Sequence, residues 1–121
     1  MIDHIVIDVA DVAASRAFYA GALAPLGIAE IAEFGGVVGF GTDRAPEFWL
    51  RPGASPTPVH VAFRAADRAA VDAFHAAALA AGGTDNGGPG VRAHYHPAYY
   101  GAFVLDRDGH NVEAVCHAPQ D

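Results

Sequence analysis

Lysine is absent. All seven basic residues are arginine, and they face 14 acids, for a formal charge of −7. A surface with that balance repels phosphate backbones, which argues against nucleic acid as a partner. Cysteine occurs once, at Cys116, which excludes an intrachain disulfide and any cysteine-based zinc site. No apolar run approaches the roughly 20 residues of a membrane span. Met1-Ile2-Asp3-His4 shows no basic-then-apolar leader pattern. The expectation is a cytoplasmic protein that does not associate with membranes. Charged residues are scarce at 17%, yet hydrophobic ones reach 52% of the 121, which suits a single globular domain rather than a disordered chain. Of those, 27 are alanine, so the large apolar side chains are fewer than the percentage suggests.

An internal repeat is the most informative feature present. Residues 2–27 laid over residues 58–83, an offset of 56, agree at 12 of 26 positions without a gap. Several identities are alanines and carry little weight. His4 with His60, Asp11 with Asp67, Phe18 with Phe74, Leu23 with Leu79 and Gly27 with Gly83 carry more. Each copy begins with a strand. Ile5, Ile7 and Val9 alternate with His4, Val6 and Asp8; Val59, Val61, Phe63 and Ala65 alternate with His60, Ala62 and Arg64. The apolar face should pack on a helix, and the face bearing histidine should look into a cleft or solvent. Asp11 and Asp67 are N-cap residues for the helices that follow, whose apolar positions include Phe18, Ala22 and Leu26, and Val71, Phe74, Ala78 and Leu79. Three strands should follow each helix: 28–34, 37–42 and 47–51, then 91–94, 100–105 and 111–116. Asp106-Arg107-Asp108-Gly109 reads as a hairpin turn, and the glycine-rich 82–90 as a flexible loop. The order is βαβββ twice, an α+β fold with mostly antiparallel strands. One domain spans 1–121, with module one at 1–52, a proline-rich connector at 52–58 and module two at 59–117.

Two histidines at equivalent positions would approach each other if the copies pair about a pseudo-twofold axis, and imidazole suits Fe, Mn, Ni or Zn. The last strand adds Glu113, on a face with Asn111, Val115 and His117; a carboxylate among valines and alanines is costly to bury unless paired or bound to a cation. Two histidines and one carboxylate make the facial triad associated with open-site Fe(II) oxygenases. Residues 92–100 (RAHYHPAYY) concentrate groups able to move protons. His94, His96 and Tyr100 are the catalytic candidates, and Trp49, Arg92, Tyr99 and Phe103 the substrate-binding ones. Asp8 and Arg64 hold equivalent positions and either pair with each other or stand apart in solvent.

Paired βαβββ modules, a histidine in each first strand and the D-x-D-G-x-N-x-E ending from Asp106 to Glu113 resemble the vicinal oxygen chelate superfamily, which includes glyoxalase I, extradiol dioxygenases and bleomycin-binding proteins. The resemblance covers essentially the whole chain. It implies that the modules curl into one cupped eight-stranded sheet around a divalent metal held by His4, His60 and Glu113, and that the protein is a homodimer. The glyoxalase pattern has a fourth ligand, a glutamate. Aligning Phe40 with Phe103 and Asp43-Arg44 with Asp106-Arg107 puts that position at Trp49 or Leu50, neither able to ligate. The dioxygenase pattern has a tyrosine where Phe103 stands, and its acid/base histidine corresponds to His96. The expected function is a metal-dependent enzyme acting on a small substrate with vicinal oxygens, leaning to dioxygenase chemistry. The alternatives are a glyoxalase-like lyase or isomerase, and metal-free sequestration of an aromatic antibiotic or metabolite.

Overall fold

A computed structural model describes residues 1–43 and 45–118, so Arg44, used in the alignment above, lies outside the described residues. The elements are β1 (Ile5–Val9), α1 (Val12–Leu23), β2 (Ala29–Phe34), β3 (Val37–Gly41), β4 (Pro46–Pro52), β5 (His60–Arg64), α2 (Arg68–Ala80), β6 (Thr84–Val91), β7 (Tyr100–Leu105) and β8 (Asn111–Cys116). This is the α+β order expected, βαβββ twice. The helices start where their caps place them. Asp11 accepts from the Ala14 amide at 3.1 Å and Asp67 from the Ala70 amide at 2.8 Å. Each carboxylate satisfies a first-turn donor that the helix cannot.

The strands form two four-stranded sheets, ordered β1-β4-β3-β2 and β5-β8-β7-β6, rather than the single eight-stranded sheet expected. In each, the first strand runs parallel to the fourth and the other pairings are antiparallel. The reason for the break lies at the seam. The His110 side chain donates from Nε2 to the Asp8 carbonyl at 2.8 Å and accepts at Nδ1 from the Val59 amide at 3.0 Å. An imidazole thus takes a carbonyl within β1 and an amide at the entry to β5, backbone groups that a continuous ladder would use.

One core serves both sheets. It includes Phe18, Tyr19, Phe40, Phe48 and Leu50 from the first module and Phe74, Val104 and Val112 from the second. Phe48 meets Phe63 edge-on across the modules, centroids 5.1 Å apart. Burying each such side chain stabilises by about 1.5–3 kcal/mol. The helices α1 and α2 pack on one another. Leu79, expected on the buried face of α2, is exposed.

The segment 82–90 is not a loop: most of it belongs to β6, and no strand forms at 91–94 beyond Val91. Glycine disfavours strand conformation, and the pairing with β7 shifts register between Asp85 and Gly87 and between Gly87 and Gly90. Arg92 spans the irregular stretch, donating to the Gly88 and Gly90 carbonyls at 2.8 and 2.9 Å. The turn from Asp106 forms as expected, with Gly109 at a φ of 84° that a side chain would strain. No helix among the described residues is long and apolar enough to cross a membrane.

Candidate functional site

Glu113 sits on β8 opposite Ala62 of β5 and Phe103 of β7. It is 1% exposed. A carboxylate so placed loses its hydration and needs partners. It has two: His60 Nε2 lies 2.7 Å from Oε1, and the Tyr99 hydroxyl donates to Oε2. Burial, then the hydrogen bond and charge of Glu113, push the Tyr99 phenol well above its ordinary range, so it stays a proton donor at neutral pH. The His60 side chain is 52% exposed, which places the pair at a rim rather than in a sealed core. Phe103 flanks it, centroid 6.1 Å from the His60 ring, with the Arg92 guanidinium 5.3 Å from the Phe103 ring centre.

His4 lies just before β1 and lines the same 390 Å³ cleft as His60, together with Asp3, Glu47 and Phe48. Its Nδ1 is 2.5 Å from Asp3 Oδ1. The cleft thus gathers both imidazoles, although His4 does not join His60 and Glu113 in a three-way contact. Among the described residues, the three side chains whose ligand atoms lie within 4.8 Å of one another are Asp106, Asp108 and His110. They are close enough to share a cation, but their hydrogen bonds describe a staple. Asp106 Oδ1 accepts from the amides of Asp108 and His110, both at 2.9 Å, and Oδ2 from the Tyr19 hydroxyl at 2.5 Å. Asp108 Oδ1 accepts from the Ala10 amide at 3.1 Å, and both His110 nitrogens bond backbone, Nε2 across the seam at Asp8 and Nδ1 at Val59. Apart from Asp108 Oδ2, which is buried without a partner, every side-chain nitrogen and oxygen of the three is hydrogen-bonded, and the bonds to Tyr19, Ala10 and Asp8 tie the β7–β8 hairpin to the first module.

The aromatic segment divides by strand parity. Tyr99 shares the face of Gly101 and Phe103 and reaches Glu113. Tyr100 points the other way: its hydroxyl donates to Asp72 Oδ1 on α2 at 2.6 Å, with Arg68 4.9 Å from its ring centre. The structure therefore does not bring Tyr100 to the carboxylate, and Tyr99, expected only to bind substrate, holds it. Counting back by twos from Phe103 would have found this. His117 stands edge-on to Tyr99 at 5.2 Å, and His96 edge-on to His117 at 6.0 Å. His96 Nδ1 accepts from the Ala98 amide at 3.0 Å. His94 lies against Tyr95, centroids 4.1 Å apart, farther along the loop.

On the first module, register identifies the counterpart of Glu113. Val6 faces Trp49 as Ala62, 56 residues later, faces Glu113. Trp49 therefore takes the fourth-ligand position, and Leu50 does not. The alignment of Phe40 with Phe103 is off by one, since Gly39 pairs with Trp49 as Phe103 pairs with Glu113. Asp8 pairs with Arg51 of β4, Nε to Oδ1 2.8 Å, rather than with Arg64.

With this geometry, comparison with known proteins is specific. The family model described as Glyoxalase/Bleomycin resistance protein/Dioxygenase superfamily matches residues 1–114. A glyoxalase/bleomycin resistance protein from Albidiferax ferrireducens T118 is 29% identical, with a TM-score of 0.80 over 94% of this chain and 97% of that one. The fold also matches a glyoxalase/dioxygenase from Nostoc punctiforme, 23% identical, with a TM-score of 0.73 over 99% and 92% of the two chains. A glyoxalase/bleomycin resistance protein/dioxygenase family enzyme from Burkholderia phytofirmans PsJN is 21% identical, with a TM-score of 0.72 over 97% and 98%. No curated protein matches the sequence.

Proposed function

Since the chain belongs to the glyoxalase/bleomycin resistance protein/dioxygenase superfamily, we propose that it is a metal-dependent enzyme acting on a small substrate with neighbouring oxygens. His4, His60 and Glu113 would hold a divalent cation, Fe, Mn, Ni or Zn. The donor set fits: two imidazoles share one cleft, and the buried carboxylate beside His60 has that imidazole and a phenol for partners and, among the described residues, no guanidinium. The single observation that carries this reading is the His60–Glu113 contact at 2.7 Å, with Glu113 1% exposed. A bound cation would polarise the two substrate oxygens and stabilise the negative charge that develops on them.

The remaining roles fall to the chain itself. Tyr99 fixes the rotamer of Glu113 and stays protonated while doing so. Phe103 and Arg92 form the wall beside His60 and take the substrate's flank. His96 is separated from the pair by the rings of His117 and Tyr99, with His94 farther out, so either would exchange protons with substrate or water rather than with Glu113. Trp49 at the fourth position leaves three ligands, which favours dioxygenase chemistry over the four-ligand glyoxalase reaction. The reading includes a homodimer, to be checked by sedimentation.

The test is elemental analysis after native purification. It is followed by titration of Fe(II), Mn(II), Ni(II) and Zn(II) into the wild type, His60→Ala and Glu113→Ala. Oxygen uptake with catechols is then compared with turnover of hemithioacetals. Metal bound by the wild type and lost in both variants is the expected result; a wild type that takes up none of these ions overturns the reading. Sequestration without metal is the second reading, favoured by the aromatic Trp49–Phe34 face. It predicts ligand affinity unchanged in His4→Ala.

A further inference from the structure

His4 directly precedes β1 and His60 opens β5, yet no ladder sets the distance between those strands. Among the described residues, no backbone hydrogen bond joins them. His110 stands in for the ladder. Its ring holds the Asp8 carbonyl of β1 at 2.8 Å and the amide of Val59, the residue before His60, at 3.0 Å. The Asn111 amide takes the Val59 carbonyl at 2.9 Å, so both backbone polar groups of Val59 are tied to the entry of β8, the strand that carries Glu113. One side chain therefore reaches all three strands that bear the candidate ligands. His110 is 1% exposed, so water cannot take over a bond that is lost. Only the neutral ring with its hydrogen on Nε2 makes both bonds, because the Val59 amide donates and cannot accept. Asp106 Oδ1 accepts from the His110 amide at 2.9 Å and fixes the backbone under the ring. Module one has no equivalent device. Register aligns Ile5–Phe48 with Val61–Val112, which puts Pro46 where His110 stands, and its ring has no donor or acceptor.

We infer that His110 is a positioning residue that sets the spacing of His4, His60 and Glu113 by holding β1, the entry to β5 and the start of β8 to one ring. The role rests on the reading of the cleft as a metal site and adds the group that keeps its ligands in register. His110 touches none of the three ligands' side chains in the printed hydrogen bonds; it acts through the backbone of their strands. Groups that orient ligands from behind typically change metal affinity about 10–100-fold when removed.

His110→Leu keeps the bulk and removes both bonds. His110→Asn keeps an acceptor near the place of Nδ1, and His110→Gln a donor near the place of Nε2. Gly83→Ala, a packing defect beside Val104 and Phe18 and away from the seam, controls for lost stability alone. Mn(II) affinity is measured by calorimetry beside the urea midpoint of each variant. His110→Leu should bind Mn(II) about 10–100-fold more weakly, with His110→Asn and His110→Gln between it and the wild type. Gly83→Ala should bind Mn(II) as the wild type does, despite a lower midpoint. Wild-type affinity in His110→Leu, or an equal loss in Gly83→Ala, overturns the inference. If His110→Leu does not fold, the Asn and Gln variants carry the same comparison. NMR of the metal-free protein tests the strand-holding directly. In the His110 variants that lose the Nδ1 acceptor, the Val59 amide should lose its exchange protection and the His4 backbone resonances should move, whereas Gly83→Ala should change neither. A wild type that takes up no cation sinks the reading of the cleft and leaves this second arm to decide, and unchanged protection at Val59 then refutes the role of His110.

Discussion

Replacing Tyr19 by Phe removes one oxygen from the interior and nothing else. The ring is 0% exposed and packs edge-on against Phe18 and Phe48, centroids 4.9 and 5.0 Å away, so the variant leaves no cavity. What it deletes is a 2.5 Å hydrogen bond to Asp106, itself only 6% exposed. Burial first, then the charge of Asp106, holds the Tyr19 phenol above its ordinary range, so the hydroxyl remains a donor throughout the working pH range. Asp106 keeps its two backbone donors on Oδ1, but Oδ2 loses its partner out of reach of water. Hydrogen bonds to charged groups contribute about 1.5–3 kcal/mol, and that is the expected loss. For a chain of this length it corresponds to a Tm drop of roughly 5–12 °C. Urea denaturation followed by circular dichroism measures it, with the m-value unchanged if only stability moves. A double-mutant cycle with Asp106→Asn should return a coupling above about 1 kcal/mol. A loss within about 0.5 kcal/mol, the range of an ordinary surface substitution, would refute the idea that this staple holds the two modules together.

Tyr99→Phe frees Glu113 Oε2 and should weaken metal binding about 10–100-fold while leaving the fold intact, as read by competition with a chelating dye. Gly83→Ala puts a methyl 2.4 Å from Val104 Cγ1 and 2.9 Å from the Ala78 carbonyl; overpacking of that kind costs about 1–3 kcal/mol, measurable as a lower urea midpoint. The Asp85 carboxyl titrates below its ordinary value, because of the Gly87 amide first and His75 second. A depressed folded pKa contributes stability above the unfolded value of about 3.9 that is lost as pH falls through the folded one. Asp85→Asn should therefore lower stability at neutral pH, flatten the acid limb below about pH 4, and leave the curve unchanged once pH is below the folded pKa.

The legible part of the site is the part written in short-range periodicity. His60 and Glu113 are readable because alternation along a strand assigns each to a face, and the 56-residue offset marks His60 as the equivalent of His4. The same rule, applied from Phe103, separates Tyr99 from Tyr100, yet the density of polar aromatics at 92–100 obscures it. β6 escapes because its glycines argue against a strand; its conformation comes from pairing with β7, which residue types along the segment do not announce, and from the Arg92 side chain folding back onto the Gly88 and Gly90 carbonyls. Asp8 chooses Arg51 over Arg64 for a similar reason, since β1 and β4 are hydrogen-bonded neighbours whereas β1 and β5 are not.

The chain alone determined the duplication, both capped helices, the face of each site strand and the family resemblance, because these depend on residue type at fixed spacing. Tertiary structure decided what spacing cannot carry. It set His110 between β1 and β5 and so divided the strands into two sheets, gave Glu113 its phenol partner, and laid Trp49 on Gly39. Each of these joins side chains to backbone or side chains on different strands, and the free energy of such contacts exists only once the chain has folded.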